Sequence, residues 1–172
     1  AGLEDKSFSC YGGVQYGDKY MRCWIAEKKR THGKLSLEDA IKVSCNAYFY
    51  QFGNAAGIEQ IVAIGNMLGL GQKSGIPISG ESPGVLPGPE WLNNINPRAR
   101  WSNGLTANTA IGQGDVLASP LQMAVVTAAL ANGGTVYYPR LIDRIVSQDG
   151  KVVQQDPPRV RSNLLTDAGL TA

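Results

Sequence analysis

The stretch KVSCNAYFYQ, residues 42–51, decides how this chain is read. Leu37, Ala40 and Ile41 before it and Ala47 onward within it follow helical spacing, yet Ser44 and Asn46 place two short polar side chains in between. Ser and Asn compete with the backbone for hydrogen bonds and are poor choices in a helix interior. On a regular helix, residues two apart point about 200° from one another. If Ser44 and Asn46 serve one site, the backbone must leave the helix between them, with Cys45 facing inward. That predicts a helix–turn–helix. The alternative is two polar residues on an exposed helical turn.

Working outward, Ser36-x-x-Asp39 resembles a capping box, with Asp in place of the usual Glu, and starts the first helix. The second helix is expected over 47–52 with a stop at Gly53. A third, carried by Ile58, Ile61, Val62 and Met67 or Leu68, stops at Gly69 and Gly71. Upstream, residues 11–24 alternate Gly with Tyr, Val, Met and Trp, as a hairpin does. Downstream, residues 71–104 are rich in Gly, Pro, Ser and Asn without periodicity, and so long a connection usually carries function or wraps a site. Ser119-Pro120 is an N-cap and first-turn pair for a helix over 121–131, ended by Asn132-Gly133-Gly134. TVYYPRLI and DRIVS read as strands, with QDG turning into KVVQQ as a hairpin, and a last helix begins at Leu164. Short strands are therefore expected within 11–24 and 135–154. No internal repeat is present.

A chain of 172 residues with 43% hydrophobic and 17% charged residues can bury a core as one globular domain. The net charge of +2 and a single tight basic run, Lys28-Lys29-Arg30, without interleaved aromatics, argue against nucleic acid. No apolar segment approaches the roughly 20 residues that span a bilayer, and no signal peptide is visible; the chain reads as an excised piece. Of its three cysteines, Cys10 and Cys23 either close a disulfide around the Gly/Tyr-rich hairpin or remain free thiols, with Cys45 unpaired. Cys10, Cys23, His32 and Cys45 are scattered too widely in sequence to resemble a zinc knuckle, so neither a metal nor a cofactor is expected. His32, the sole histidine, excludes any site needing two imidazoles and reads as a turn or packing residue.

SLEDAIKVSCNAYFYQFG, LGLGQKSGIPISGESPGVLP, NTAIGQGDVLASPLQMAVVTAALANGG and YYPRLI occur here in the order found in penicillin-binding transpeptidases. The chain closely resembles the class B enzymes, and the IGQGDVL-x-SPLQMA wording is most similar to their elongation-type branch. In that resemblance Ser44 and Asn46 match the S-x-N motif. The chemistry implied is attack by a serine on the carbonyl between two D-alanines, through an acyl-enzyme. The Ser44 hydroxyl would pass a proton to the leaving amine. The Asn46 amide would donate to a peptide carbonyl while its oxygen holds the catalytic lysine.

The pattern is incomplete. No serine in the chain is followed three residues later by lysine, so S-x-x-K should lie upstream. Lys73-Ser74-Gly75 spells K-S-G but falls in a segment that matches a structural connection of the family, and the functional K-[ST]-G strand should follow the last helix. Gly112-Gln113-Gly114 is not a dinucleotide loop, because Leu117 stands where the third glycine would be. Its place suggests a tight turn beside the active-site floor. Thr106, Asn108 and Gln113 are candidates for lining the cleft; Glu81 has no acidic partner and is assigned no acid/base role.

The expectation is an α+β, mainly helical chain. It is read as one partial transpeptidase domain over residues 1–172, part of a β-lactamase/transpeptidase-like fold without the strands around K-[ST]-G. It should expose an apolar face where the missing sheet would pack. By resemblance, the parent cross-links peptidoglycan stem peptides, binds β-lactam antibiotics and works with cell-wall elongation proteins of the inner membrane. It sits in the periplasm on an anchor outside this chain, needs no cofactor, and binds no nucleic acid. The chain alone should neither turn over substrate nor be labelled covalently by a penicillin. The other reading is a non-catalytic β-lactam sensor or scaffold of the same fold; a serine β-lactamase is disfavoured by the IGQG–PLQMA run.

Overall fold

The structure, a computed structural model, describes residues 2–3 and 5–167. It divides into two compact units, residues 1–62 with 87–116 and residues 63–86 with 117–172.

In the first unit, β1 (Phe8–Cys10) pairs antiparallel with β4 (Gly33–Leu35), and β2 (Gly13–Tyr16) forms the expected hairpin with β3 (Lys19–Arg22). A short 3-10 helix, Trp24–Lys28, follows, ending at Lys29 in the left-handed region. Then come α1 (Leu37–Lys42), α2 (Asn46–Ala56) and α3 (Ile58–Met67). The division between the units falls within α3. Ser36 caps α1 as the sequence predicts, its hydroxyl accepting from the Asp39 N–H at 3.2 Å.

Gly53 does not stop α2; the helix runs to Ala56 and ends at Gly57 with φ 89°. A Cβ on Gly53 would lie 2.4 Å from the Ala110 Cβ, so this glycine is what lets another helix approach. That helix is α5 (Asn103–Ala110). It and α4 (Pro89–Ile95) occupy part of the stretch that looks aperiodic in sequence. Both are short, and the first starts with Pro at its N-terminus, so neither fills a window long enough to declare a period. The core gathers Cys10, Cys23, Ile25, Leu35, Ala40, Cys45, Ala47 and Tyr48. Tyr48 is fully buried, edge-on to Phe8 at 5.3 Å, with its hydroxyl donating to the Lys6 carbonyl at 3.0 Å.

In the second unit, α6 (Pro120–Ala131) carries a complete capping box between Ser119 and Gln122. The Gln122 side chain is buried and fully bonded: Oε1 accepts from the Ser119 N–H, and Nε2 donates to the carbonyls of Gly69, Gln72 and Pro83. One amide thereby pins the 69–86 loop. β5 (Thr135–Tyr137) pairs with β8 (Val160–Asn163), a strand not foreseen, and β6 (Arg144–Val146) pairs with β7 (Val152–Gln155) as the expected hairpin. α7 (Leu164–Asp167) begins where the last helix is expected; its continuation lies outside the described residues. Leu141, Ile142, Ile145, Val146, Val152 and Val153 are exposed in this unit.

Candidate active site and metal centre

The helical pattern breaks at Ser44 because α1 ends there in a Schellman turn. The Ser44 N–H donates to the Ile41 carbonyl at 3.1 Å and the Cys45 N–H to the Ala40 carbonyl at 3.0 Å. That turn places its C′ residue in the left-handed region, normally a glycine position, and here the residue is Ser44 with φ 51°. A non-glycine residue held there costs about 1–3 kcal/mol. Cys45 returns to extended backbone (φ −79°, ψ 102°) and caps α2, its Sγ accepting from the Tyr48 N–H at 3.4 Å. Asn46 is the first residue of α2.

The consequence is that Ser44 and Asn46 come to one cleft. Ser44 and Asn46 line one cleft of about 810 Å³, with Phe49 and Tyr50 one turn further along α2 and Asn108 and Gln113 opposite. The indole N–H of Trp24 holds the strained turn from behind, donating to the carbonyls of Val43 (3.2 Å) and Ser44 (3.0 Å). The Tyr50 hydroxyl donates to the Arg22 carbonyl at 3.1 Å. Burial pushes its phenol above the ordinary range and the Cys23 thiol adds to this, while the Asn46 side chain works the other way.

Of the three residues offered as cleft lining, Asn108 and Gln113 are there. Thr106 is not: it is buried on α5, where its hydroxyl accepts from the Trp101 indole N–H at 2.8 Å. Gln113 reaches the cleft because α5 also ends in a Schellman turn, with Gly112 at its C′ position (φ 68°). Lys73-Ser74-Gly75 lies in an irregular loop of the second unit, not on a strand, and Ser74 is buried there. Phe49 and Tyr50 were not picked out in the sequence, although positions three and four beyond Asn46 share its helix face.

The spacing argument against a metal site fails. Cys10, Cys23, His32 and Cys45 bring one donor atom each to within 4.8 Å of one another. Tertiary structure does this: Cys10 ends β1 opposite Gly33, the neighbour of His32. Cys23 is tied back by its N–H to the Gly12 carbonyl at 2.8 Å, and Cys45 arrives at the head of α2. All three cysteines are free thiols with no exposed surface. The Cys23 Sγ lies 4.0 Å from the Cys45 Sγ and 3.7 Å from the His32 Nδ1. A tetrahedron drawn with ordinary zinc–sulfur and zinc–nitrogen lengths has edges of about 3.8 Å and about 3.6 Å. These two separations are close to those edges. Burial opposes ionisation of Cys23, but the N–H groups of Ala47, Ile25 and Asn46, with the Cys10 side chain, hold its thiol below the ordinary value. Burial pushes the Cys45 thiol up to about 12. Three sulfurs and one imidazole this close together are a donor set that can hold Zn²⁺.

A serine in the left-handed region between two helices, lining one cleft with Asn46 on a mainly helical α+β scaffold, is the arrangement of the penicillin-binding transpeptidase fold. The penicillin-binding protein transpeptidase domain matches residues 2–166, and the chain belongs to that family. It is 39% identical over 127 residues to the peptidoglycan D,D-transpeptidase MrdA of Acinetobacter baumannii, covering 73% of this chain and 18% of that protein. It is 35% identical over 135 residues to MrdA of Salmonella typhimurium, covering 78% of this chain and 21% of that protein. Among solved structures, PBP2 of Pseudomonas aeruginosa in complex with WCK 5153 has a TM-score of 0.75 at 32% identity, over 93% of this chain and 34% of that one. PBP2 of Helicobacter pylori in complex with MreC has a TM-score of 0.75 at 29% identity, over 97% of this chain and 29% of that one. The chain thus spans about a fifth to a third of the relatives it matches. Among the described residues, no helix is long and apolar enough to cross a membrane.

Proposed function

We propose that this chain supplies the S-x-N wall of a peptidoglycan D,D-transpeptidase of the elongation type, which cross-links stem peptides through a serine acyl-enzyme and is acylated by β-lactams. The observation that supports the reading is Ser44 at φ 51°, with Ser44 and Asn46 both lining one cleft. Ser44 passes the proton between the nucleophile's lysine and the departing amine, because a hydroxyl can accept and donate in turn. Asn46 donates to a carbonyl of the bound peptide and accepts from the lysine. Asn108 and Gln113 line the opposite wall against the peptide. The nucleophilic serine and the lysine of S-x-x-K, and the K-[ST]-G strand, come from elsewhere in the parent protein.

The domain works outside the inner membrane beside cell-wall elongation proteins, a reading supported by its similarity to a PBP2 solved with MreC. Its Cys10–Cys23–His32–Cys45 cluster holds one Zn²⁺ as a structural ion under the S-x-N turn, supported by four donor atoms within 4.8 Å of one another. The test of the main reading uses the full-length protein and a fluorescent penicillin. Ser44→Ala should lower the acylation rate at least 100-fold with the thermal transition unchanged. A wild-type protein that folds but takes no label would instead establish the non-catalytic scaffold reading.

A further inference from the structure

We infer that a second cavity beside the cleft is a specificity subsite, which seats a side chain of the bound peptide that ends in both an ammonium and a carboxylate. The inference rests on the transpeptidase reading above and adds to it which peptides the site prefers. The cavity, of about 340 Å³, lies between the turn of the β2–β3 hairpin and the start of α5. Asn108 lines both this cavity and the cleft that holds Ser44 and Asn46. The two are held in fixed relation by bonds that meet on the carbonyl of Tyr50, itself a cleft residue. The Tyr16 hydroxyl of the hairpin donates to that carbonyl at 3.0 Å. The Asn54 side-chain amide donates to it at 2.9 Å and to the carbonyl of Asn103, the first residue of α5, at 3.0 Å. The Gln15 amide braces the hairpin turn, donating to the Gly17 carbonyl at 2.8 Å. A cavity tied to the cleft in this way needs little ordering when a ligand arrives.

From Asn103 to Asn108, α5 rises about 7.5 Å at 1.5 Å per residue. An extended peptide covers that distance in about two residues. A peptide whose reacting carbonyl lies by Ser44 and Asn46 therefore brings the side chain before its terminal pair within reach of the cavity. The lining sets what that side chain is. Tyr16 and Leu105 offer apolar surface to its stem, and the exposed residues Asp18 and Lys19 bring one charge of each sign. Among the described residues, neither Asp18 nor Lys19 is in an ion pair. A side chain with a single charge gains one partner and meets one like charge, whereas an end carrying both charges can pair with both.

The experiment uses the full-length protein and four synthetic peptides ending in D-Ala-D-Ala. They differ only in the preceding side chain, which ends in an ammonium, a carboxylate, both, or a methyl group at matched length. Each peptide is scored by the concentration that halves the rate of labelling by a fluorescent penicillin. A folded wild-type protein that takes no label overturns the transpeptidase reading and the inference with it. With labelling intact, the peptide carrying both charges should compete about 10-fold better than the methyl-ended one, the scale of two exposed charge pairs. It should also compete better than either singly charged peptide. Equal competition by all four overturns the subsite while leaving the transpeptidase reading standing. Asp18→Asn should make the doubly charged peptide no better than the carboxylate one, and Lys19→Gln no better than the ammonium one. Each comparison is a ratio within one protein, so a partly misfolded population does not alter it. A preference that survives both substitutions overturns the inference. Should either variant fail to fold, the wild-type preference decides: it should shrink in about 1 M salt, because charges at an exposed rim are screened. A preference indifferent to salt overturns the charge pairing.

Discussion

Two turns face each other across the cleft, and they solve one geometric problem in opposite ways. Both are Schellman turns at helix ends. The Gly112 N–H donates to the Thr109 carbonyl at 3.0 Å and the Gln113 N–H to the Asn108 carbonyl at 2.9 Å. The paired bonds at Ser44 and Cys45 are 3.1 and 3.0 Å. Each turn needs a left-handed residue, at φ 68° in one and φ 51° in the other. The α5 turn fills that position with glycine, which carries no penalty there. The α1 turn fills it with serine, which does. A fold under no other constraint would use glycine twice. The difference marks where chemistry overrules backbone preference, and it explains why a buried cluster and an indole are concentrated behind the serine turn and not behind the glycine one.

The largest effect should come from dismantling what holds the serine turn. Cys45→Ala in the full-length protein removes one donor of the cysteine–histidine cluster and the sulfur that caps α2. It should abolish stoichiometric zinc binding and lower unfolding free energy by more than about 3 kcal/mol, on the scale of losing a structural ion. Metal analysis and urea denaturation check this. A loss under about 1 kcal/mol would mean that the sulfur is only core filling.

Next comes the contact that sets the width of the cleft. Gly53 on α2 meets Ala110 on α5, and a Cβ added there would lie 2.4 Å from the Ala110 Cβ, so Gly53→Ala must push one helix off the other. Overpacking of this kind costs about 1–3 kcal/mol, and penicillin acylation should slow with it because the two walls part. Unchanged denaturation midpoints would show that the helices slide apart freely.

The comparison itself is tested by exchanging its terms. Ser44→Gly relieves the left-handed strain and should stabilise the fold by about 1 kcal/mol while removing the hydroxyl and hence acylation. Gly112→Ser introduces that strain where a Cβ has nothing within 4 Å, so it should destabilise by about 1 kcal/mol through the backbone alone. Opposite signs in denaturant titrations confirm the reading. A Ser44→Gly protein less stable than wild type would mean that the hydroxyl itself anchors the turn.

The same contrast explains what could be read in the sequence. The break at Ser44, the hairpin at Gly13–Tyr16 and Lys19–Arg22, the Ser119 cap and the β6–β7 hairpin are local signals, written in capping residues, glycines and alternation within a few positions. The pairing of Ser44 with Asn46 was legible for the same reason. Gly53 misled because a glycine inside a helix stops it or packs against a neighbour, and only the position of Ala110 decides which. Thr106 looked like cleft lining because its order along α5 says nothing about which face turns inward. The cysteine–histidine cluster was illegible by spacing: its donors come from the end of β1, the cap of the 3-10 helix, a loop and the cap of α2, and only their convergence reveals it. The break at the tripeptide was a local signal, whereas the cluster behind it was tertiary.

The smallest effect separates the true motif from its look-alike. In the K-S-G loop, Glu81 Oε1 accepts from the Ser74 N–H at 2.7 Å. Hydrogen bonds from the Ser74 side chain first, then from the Ser74 and Gly75 N–H groups, hold the Glu81 carboxyl below its ordinary 4.5, with Lys73 adding to the pull. A folded value below the unfolded one means that this carboxylate stabilises the loop above about pH 4.5. That contribution disappears as the pH falls through the lowered value. Glu81→Gln should therefore lower the melting temperature slightly at pH 7 and leave it equal to wild type in strong acid, since the side chain is solvent-screened. Ser74→Ala should leave penicillin acylation unchanged, in contrast to Ser44→Ala, because this serine organises a loop. Loss of labelling in Ser74→Ala at full stability would move Lys73-Ser74-Gly75 into the catalytic machinery and undo its reading as a structural turn.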